Sequence, residues 1–237
     1  SADAVVPLAS ATSGECEAAL DLGINANLLS GVALGRCLAS AAHRPLLVFS
    51  STLAIYGGTS EAPLPPVVDD STQPTPQNSY GSQKLMLEVF FADLSRRGLI
   101  TARSLRLMTV SVRPGQPNGA ASSFLSGMIR EPLQGTNASV PVNPELRVVL
   151  NSPDGAVAGL RHAGAASDDV WGGPRGVNLP GISVTVGDMA AALTAIGGAD
   201  VAARLSWERD ETIERIVTSW PAKVASERAA CIGFADD

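Results

Sequence analysis

Tyr80-Gly81-Ser82-Gln83-Lys84 sets a phenol and an ammonium four residues apart. On a helix these two groups share one face. An ammonium held near a phenol favours the phenolate, and moving a tyrosine from ~10 to ~7 takes about 4 kcal/mol of differential stabilisation. Upstream, the apolar run Pro45-Leu46-Leu47-Val48-Phe49 ends in Ser50-Ser51-Thr52. A hydroxyl from Ser51 or Thr52 can hold an alcohol oxygen while Tyr80 exchanges a proton with it. Together these groups are the acid/base equipment of a hydride transfer. A Tyr and a Lys at this spacing also occur on many solvated helices, so the weight rests on the order strand, Ser-Ser-Thr, loop, helix.

The elements that must position these groups follow an α/β alternation. Ala4 to Leu8 reads as a short buried strand, about Ala18 to Ala42 as helix, and Pro45 to Ser50 as a parallel strand covered on both faces. A loop with Pro63, Pro65, Pro66, Pro74 and Pro76 cannot be helix or central strand. Tyr80 opens a helix running to about Arg97, and Thr101 to Val110 reads as one strand. Helices are expected at Phe124–Leu133, Asp154–Ala163, Thr185–Ile196 (Thr185 as N-cap) and Glu211–Trp220, with strands at Arg147–Leu150, Gly176–Gly181 and Arg204–Trp207. In an open parallel sheet ligands sit at the carboxyl ends of the strands, so Ser50–Thr52, Tyr80 and Leu107-Met108-Thr109 converge on one crevice.

The chain has 237 residues, 45% of them hydrophobic and 17% charged, with a net charge of −6. That balance argues against a nucleic-acid partner, which needs a basic stripe. No run reads as a membrane span of ~18 apolar residues, and no secretory leader is visible. Cys16, Cys37 and Cys231 are odd in number and widely spaced, as expected of reduced, partly buried thiols in a cytoplasmic protein. Two histidines, His43 and His162, make a histidine metal cluster improbable, and no metal site is assigned. Trp171, Trp207 and Trp220 read as packing residues.

Phe49-Ser50-Ser51-Thr52-Leu53-Ala54-Ile55-Tyr56-Gly57-Gly58, followed by Pro76-Gln77-Asn78-Ser79-Tyr80-Gly81-Ser82-Gln83-Lys84, resembles the extended short-chain dehydrogenase/reductase family, also called the NAD-dependent epimerase/dehydratase family. Three further segments, Asp21 to Leu28, Arg106 to Gly115 with Asn118 to Phe124, and Asn178 to Val186, resemble members that oxidise 2-hydroxy sugar acids of the D-erythronate type.

The resemblance implies a Rossmann-type doubly wound parallel sheet without its N-terminal strands, plus a small α/β substrate domain. It places NAD on 1–113 with 147–166, and substrate on 114–146 with 167–237. The implied reaction turns a 2-hydroxy acid into its 2-oxo acid. Tyr80 is the implied base, Lys84 lowers its pKa and contacts the nicotinamide ribose, Thr52 holds the reacting oxygen and Ser51 supports it. Leu8, Ala9, Ser50, Leu107 and Thr109 are expected beside the cofactor. Asn27 is expected either to steady the site or to make a structural bond in a helix kink. Thr109, Arg113 and Ser126 are expected to grip a sugar-acid substrate, Arg113 reading alternatively as a structural residue before a Pro-Gly turn. Met108 packs against nicotinamide or in the core.

The family's glycine-rich phosphate turn and its ribose-binding acid are not found. Ser1 stands where the fourth strand of the pattern begins, so roughly sixty to seventy residues, two βαβ-sized units, are expected to be missing from a longer chain; the end at Phe234–Asp237 also reads as early. A homodimer through the helix starting at Tyr80 is expected. The alternatives are a nucleotide-sugar epimerase or dehydratase, and a non-catalytic NAD-sensing protein; retention of Tyr80 and Lys84 counts against the last.

Overall fold

The computed structural model describes residues 2–235; Ser1, Asp236 and Asp237, on which the expected early start and part of the early end fall, lie outside the described residues. The elements in order are β1 (Ala4–Val5), α1 (Ser13–Ala18), α2 (Leu20–Gly23), a π-helical turn (Ile24–Leu29), α3 (Ser30–Ala39), β2 (Leu46–Thr52), a 3-10 turn (Leu53–Ile55), α4 (Ser79–Arg96), β3 (Thr101–Leu107) and β4 (Thr109–Val110). There follow α5 (Ser123–Leu133), β5 (Ala138–Val140), β6 (Arg147–Asn151), α6 (Pro153–Ala165), α7 (Asp168–Trp171), β7 (Val177–Asn178), β8 (Ile182–Thr185), α8 (Val186–Gly197), α9 (Ala199–Ala202), β9 (Leu205–Trp207), α10 (Glu211–Thr218) and α11 (Glu227–Ile232).

The main sheet has the order β1-β2-β3-β7, all neighbours parallel. Alternation along β2 explains why it is apolar throughout. Leu47 and Phe49 face α3 and α4 with Leu87, Phe91 and Leu94, while Val48 faces α6, α7 and α11 with Ala163, Trp171 and Ile232. This is the expected α/β class. A second sheet, β4-β6-β8, and a β5-β9 pair carry a separate core with α5, α8 and α10.

Two expectations are corrected here. The run Thr101–Val110 is two strands: β3 stays in the main sheet, and after Met108 the chain enters the second sheet as β4. Nothing in the residues marks the break, because no Gly or Pro interrupts it. The division at 147–166 and 167–237 is crossed in both directions, since β6 joins β4 and β8, and β7 adds to the main sheet beside β3.

By length and composition alone, the helical run Leu20–Ala39 could cross a membrane, although no span was expected. In this fold Leu28, Val32 and Leu38 pack toward α4, while Leu20, Leu22 and Leu29 are exposed.

Candidate active site

The carboxyl end of β2 and the first turn of α4 meet because two local features let them. Asn78 caps α4, its side chain accepting from Gly81 N at 2.7 Å. Gly81 itself lies so close to the 3-10 turn that an added Cβ would stand 2.0 Å from the Ala54 carbonyl oxygen. Only glycine permits that approach. Thr52 caps the 3-10 turn by accepting from Ala54 N at 3.1 Å, which leaves its own O–H free to donate. The Thr52 side chain lines the same cleft as the Tyr80 phenol and favours its charged form.

Lys84 is 5% exposed, and its Nζ donates to Ser50 O at 2.9 Å while lying 5.6 Å from the centre of the Tyr80 ring. The ammonium therefore faces the ring and is held on a strand carbonyl. This corrects the expected tuning. Burial pushes the Tyr80 phenol up to about 12, with the Cys16 thiol acting in the same direction and Thr52 and Arg113 opposing. Burial lowers Lys84 to about 8. Desolvation outweighs the lysine in this cleft.

The cleft around these groups has a volume of about 310 Å³. Thr52, Ser51, Ser50, Tyr80, Lys84, Leu8, Leu107, Thr109, Met108 and Arg113 all line it. Three lining residues carry buried polar atoms without partners among the described residues: Ser51 Oγ, Arg113 Nε and Trp220 Nε1. Such atoms cost free energy unless a ligand or water satisfies them. Lys84 and Arg113 are the charged residues of the lining, and no Asp or Glu joins them among the described residues. Burial and the nearby Arg130 cation hold Arg113 below its usual range, so an anion beside it would be favoured.

Three expected residues are elsewhere. Ser126 is 1% exposed and outside the lining; its hydroxyl accepts from the Arg113 backbone N–H at 3.0 Å. Ala9 is exposed and outside the lining, although its neighbours Leu8 and Ser10 line the cleft. Asn27 lies behind the wall, in the π-helical turn. Its Oδ1 accepts from Ala11 N (2.8 Å) and Ser10 Oγ (2.9 Å), and its Nδ2 donates to Gln83 Oε1 (2.8 Å). It thus ties the segment before α1 to the helix bearing Tyr80 and Lys84.

The sequence reading missed Ser10–Ser13, Ser122 and Trp220 as lining residues. The two hydroxyl stretches carried no distinctive signal. Trp220 joins the cleft through contacts far away in the chain.

Deeper support comes from a buried network under α4. Arg106 of β3 donates to both oxygens of Glu88 and, at 2.7 Å, to Tyr56 Oη, which donates to Asn178 Oδ1 at 3.0 Å. This binds α4, β3 and β7 into one block two turns below Tyr80.

A sequence model described as the NAD dependent epimerase/dehydratase family matches residues 1–149. The chain is 48% identical to the D-erythronate dehydrogenase of Cupriavidus necator over 234 residues, covering 99% of this chain and 71% of that protein. It is 40% identical to the D-erythronate dehydrogenase of Haemophilus influenzae, covering 99% of this chain and 73% of the relative. Among solved structures, a nucleoside-diphosphate-sugar epimerase from Agrobacterium tumefaciens superposes with a TM-score of 0.90 at 36% identity, covering 99% of this chain and 69% of that one. With the fold, the Tyr80–Lys84 helix and these matches in agreement, the chain belongs to the NAD-dependent epimerase/dehydratase family.

Proposed function

We propose that the protein oxidises a 2-hydroxy sugar acid of the D-erythronate type to its 2-oxo acid, with NAD as hydride acceptor. The observation that carries this reading is the composition of the cleft: a phenol beside Thr52, two cations and, among the described residues, no carboxylate. A hydroxy acid supplies what these groups lack, an alcohol for the phenol–threonine pair and an anion for Arg113. The planar guanidinium fork suits a carboxylate. The two named dehydrogenase relatives support the same substrate class.

In this reading Thr52 donates to the reacting oxygen, and the unpartnered Ser51 Oγ supplies a further hydrogen bond beside it. Tyr80 takes the alcohol proton as the hydride leaves. Because burial holds the phenol up, it starts protonated near neutral pH and must first lose that proton, which makes alkaline conditions favour oxidation. Lys84 keeps two ammonium donors beyond its bond to Ser50 O, enough to bind ribose hydroxyls. Leu8, Ser50 and Leu107 form the rest of the wall on which the nicotinamide end would lie. NAD supplies the electron-pair acceptor. The main-sheet unit is the dinucleotide side and the second core the substrate side. Exposed Met86 and Val89 on α4 favour pairing with a second copy, and exposed Cys37 and Cys231 fit a reducing, cytoplasmic setting.

The test is NADH formation from D-erythronate, longer sugar acids and a UDP-sugar, with the parent and Tyr80→Phe. Turnover of the acids that the variant loses by 10²-fold or more, its circular dichroism unchanged, is the expected result. Activity confined to the UDP-sugar would refute the proposal.

A further inference from the structure

The catalytic cleft adjoins a second, larger one of about 890 Å³, and one described residue, Trp220, lines both. Its ring packs toward Leu53, Met108 and Val149, directly after Thr52 in one direction and at the start of the second sheet in the other. The backbone around it is fixed from several sides. Gly58 N donates to Ser219 O at 2.9 Å, Ser183 Oγ to Ala222 O at 2.7 Å, and Val68 N to Lys223 O at 2.9 Å. The segment that carries the indole is therefore held in place. Its N–H is buried and finds no acceptor among the described residues. A buried indole N–H ordinarily has a partner. The larger cleft offers Thr59, Ser60, Thr218 and Ser219 hydroxyls with Arg215 and Glu17, a lining suited to a polyol chain.

Resting on the function proposed above, we infer that Trp220 determines substrate length: its ring closes the catalytic cleft behind a short sugar acid, and its N–H donates to that acid's distal hydroxyl. With Arg113 on the carboxylate and Thr52–Tyr80 on the reacting alcohol, the indole is the third fixed point. A longer acid must thread past the ring to reach the hydroxyl-lined space behind it.

The experiment compares kcat/KM of parent, Trp220→Ala and Trp220→Phe on three compounds: D-erythronate, D-gluconate, and a four-carbon 2,3-dihydroxy acid without the terminal hydroxyl. Trp220→Ala is expected to shift the gluconate-to-erythronate ratio about tenfold or more toward gluconate. Trp220→Phe keeps the partition and so the size preference, but raises KM for erythronate about tenfold while leaving the deoxy acid unchanged. A parent-like ratio in a folded Trp220→Ala overturns the partition role. If that variant does not fold, Trp220→Phe decides, and equal effects on both four-carbon acids overturn the proposal. A parent that already accepts gluconate as readily as erythronate overturns it too. A parent oxidising none of the acids defeats the proposed function itself, and this inference with it.

Discussion

Gly81→Ala isolates the geometry on which the active site depends. The Cβ would stand 2.0 Å from Ala54 O, whereas ordinary contacts begin at 3.4 Å, so the start of α4 must retreat by the difference, about 1.4 Å. The obstacle is a backbone carbonyl and cannot swing aside. Tyr80 is the adjacent residue and moves with the helix end, away from Thr52. A misplacement of ~1 Å at reacting groups costs about 10²-fold in rate. Overpacking costs ~1–3 kcal/mol in stability, partly offset by the ~1 kcal/mol by which alanine is the better helix former. The expected variant is folded, melts a few degrees lower, and loses about 100-fold in kcat for D-erythronate with a smaller change in KM. Steady-state kinetics alongside thermal denaturation separates the two effects. A Gly81→Ala protein with the parent's kcat would refute the argument that the Ala54–Gly81 approach sets the Thr52–Tyr80 geometry.

Three other perturbations have defined outcomes. Oxidation should accelerate with rising pH below about 12, since the phenolate fraction grows toward the Tyr80 pKa, and reduction should slow; a flat oxidation rate from neutral to alkaline pH contradicts Tyr80 as the base. Glu88→Ala leaves the buried Arg106 guanidinium unpaired and should cost about 3–5 kcal/mol in denaturant unfolding, while Glu88→Leu with Arg106→Met recovers most of it. Arg113→Lys keeps the charge but loses the fork. It should raise KM for the acid about tenfold with kcat changed less, and an unchanged KM would remove the carboxylate role.

What could be read from the residues was what is local. Ser50–Thr52 end a strand and Tyr80 opens the next helix, so short-range rules already bring them to one edge. The same rules placed the α4 bounds and the Thr185 cap of α8 to within a residue or so. They fail where long-range contacts decide. Trp220 enters the cleft because the segment around it is hydrogen-bonded to Gly58 and Val68, a pairing no periodicity reveals. Ser126 looked like a substrate ligand, and only the fold shows its hydroxyl turned to the Arg113 backbone. The phenol's pKa was misjudged because spacing reports the lysine but not the desolvation that surrounds the ring. The short strands β5 and β8 were not anticipated, whereas β1, β7 and β9, which are no longer, were.

The π-helical turn at Ile24–Leu29 has a consequence for how this gene can change. A π-turn is in effect one surplus residue in an α-helix. Deleting a single codon there would restore regular α geometry, a gain for the helix taken alone. It would also rotate everything before it by about 100° relative to α3, because one residue spans that angle. Asn27 would swing off Gln83, and Ser10 to Ser13 would leave the cleft. Point substitutions along the outer side of this helix should be borne easily, whereas in-frame deletions should be eliminated. Deep mutational libraries that include single-residue indels would expose that contrast directly.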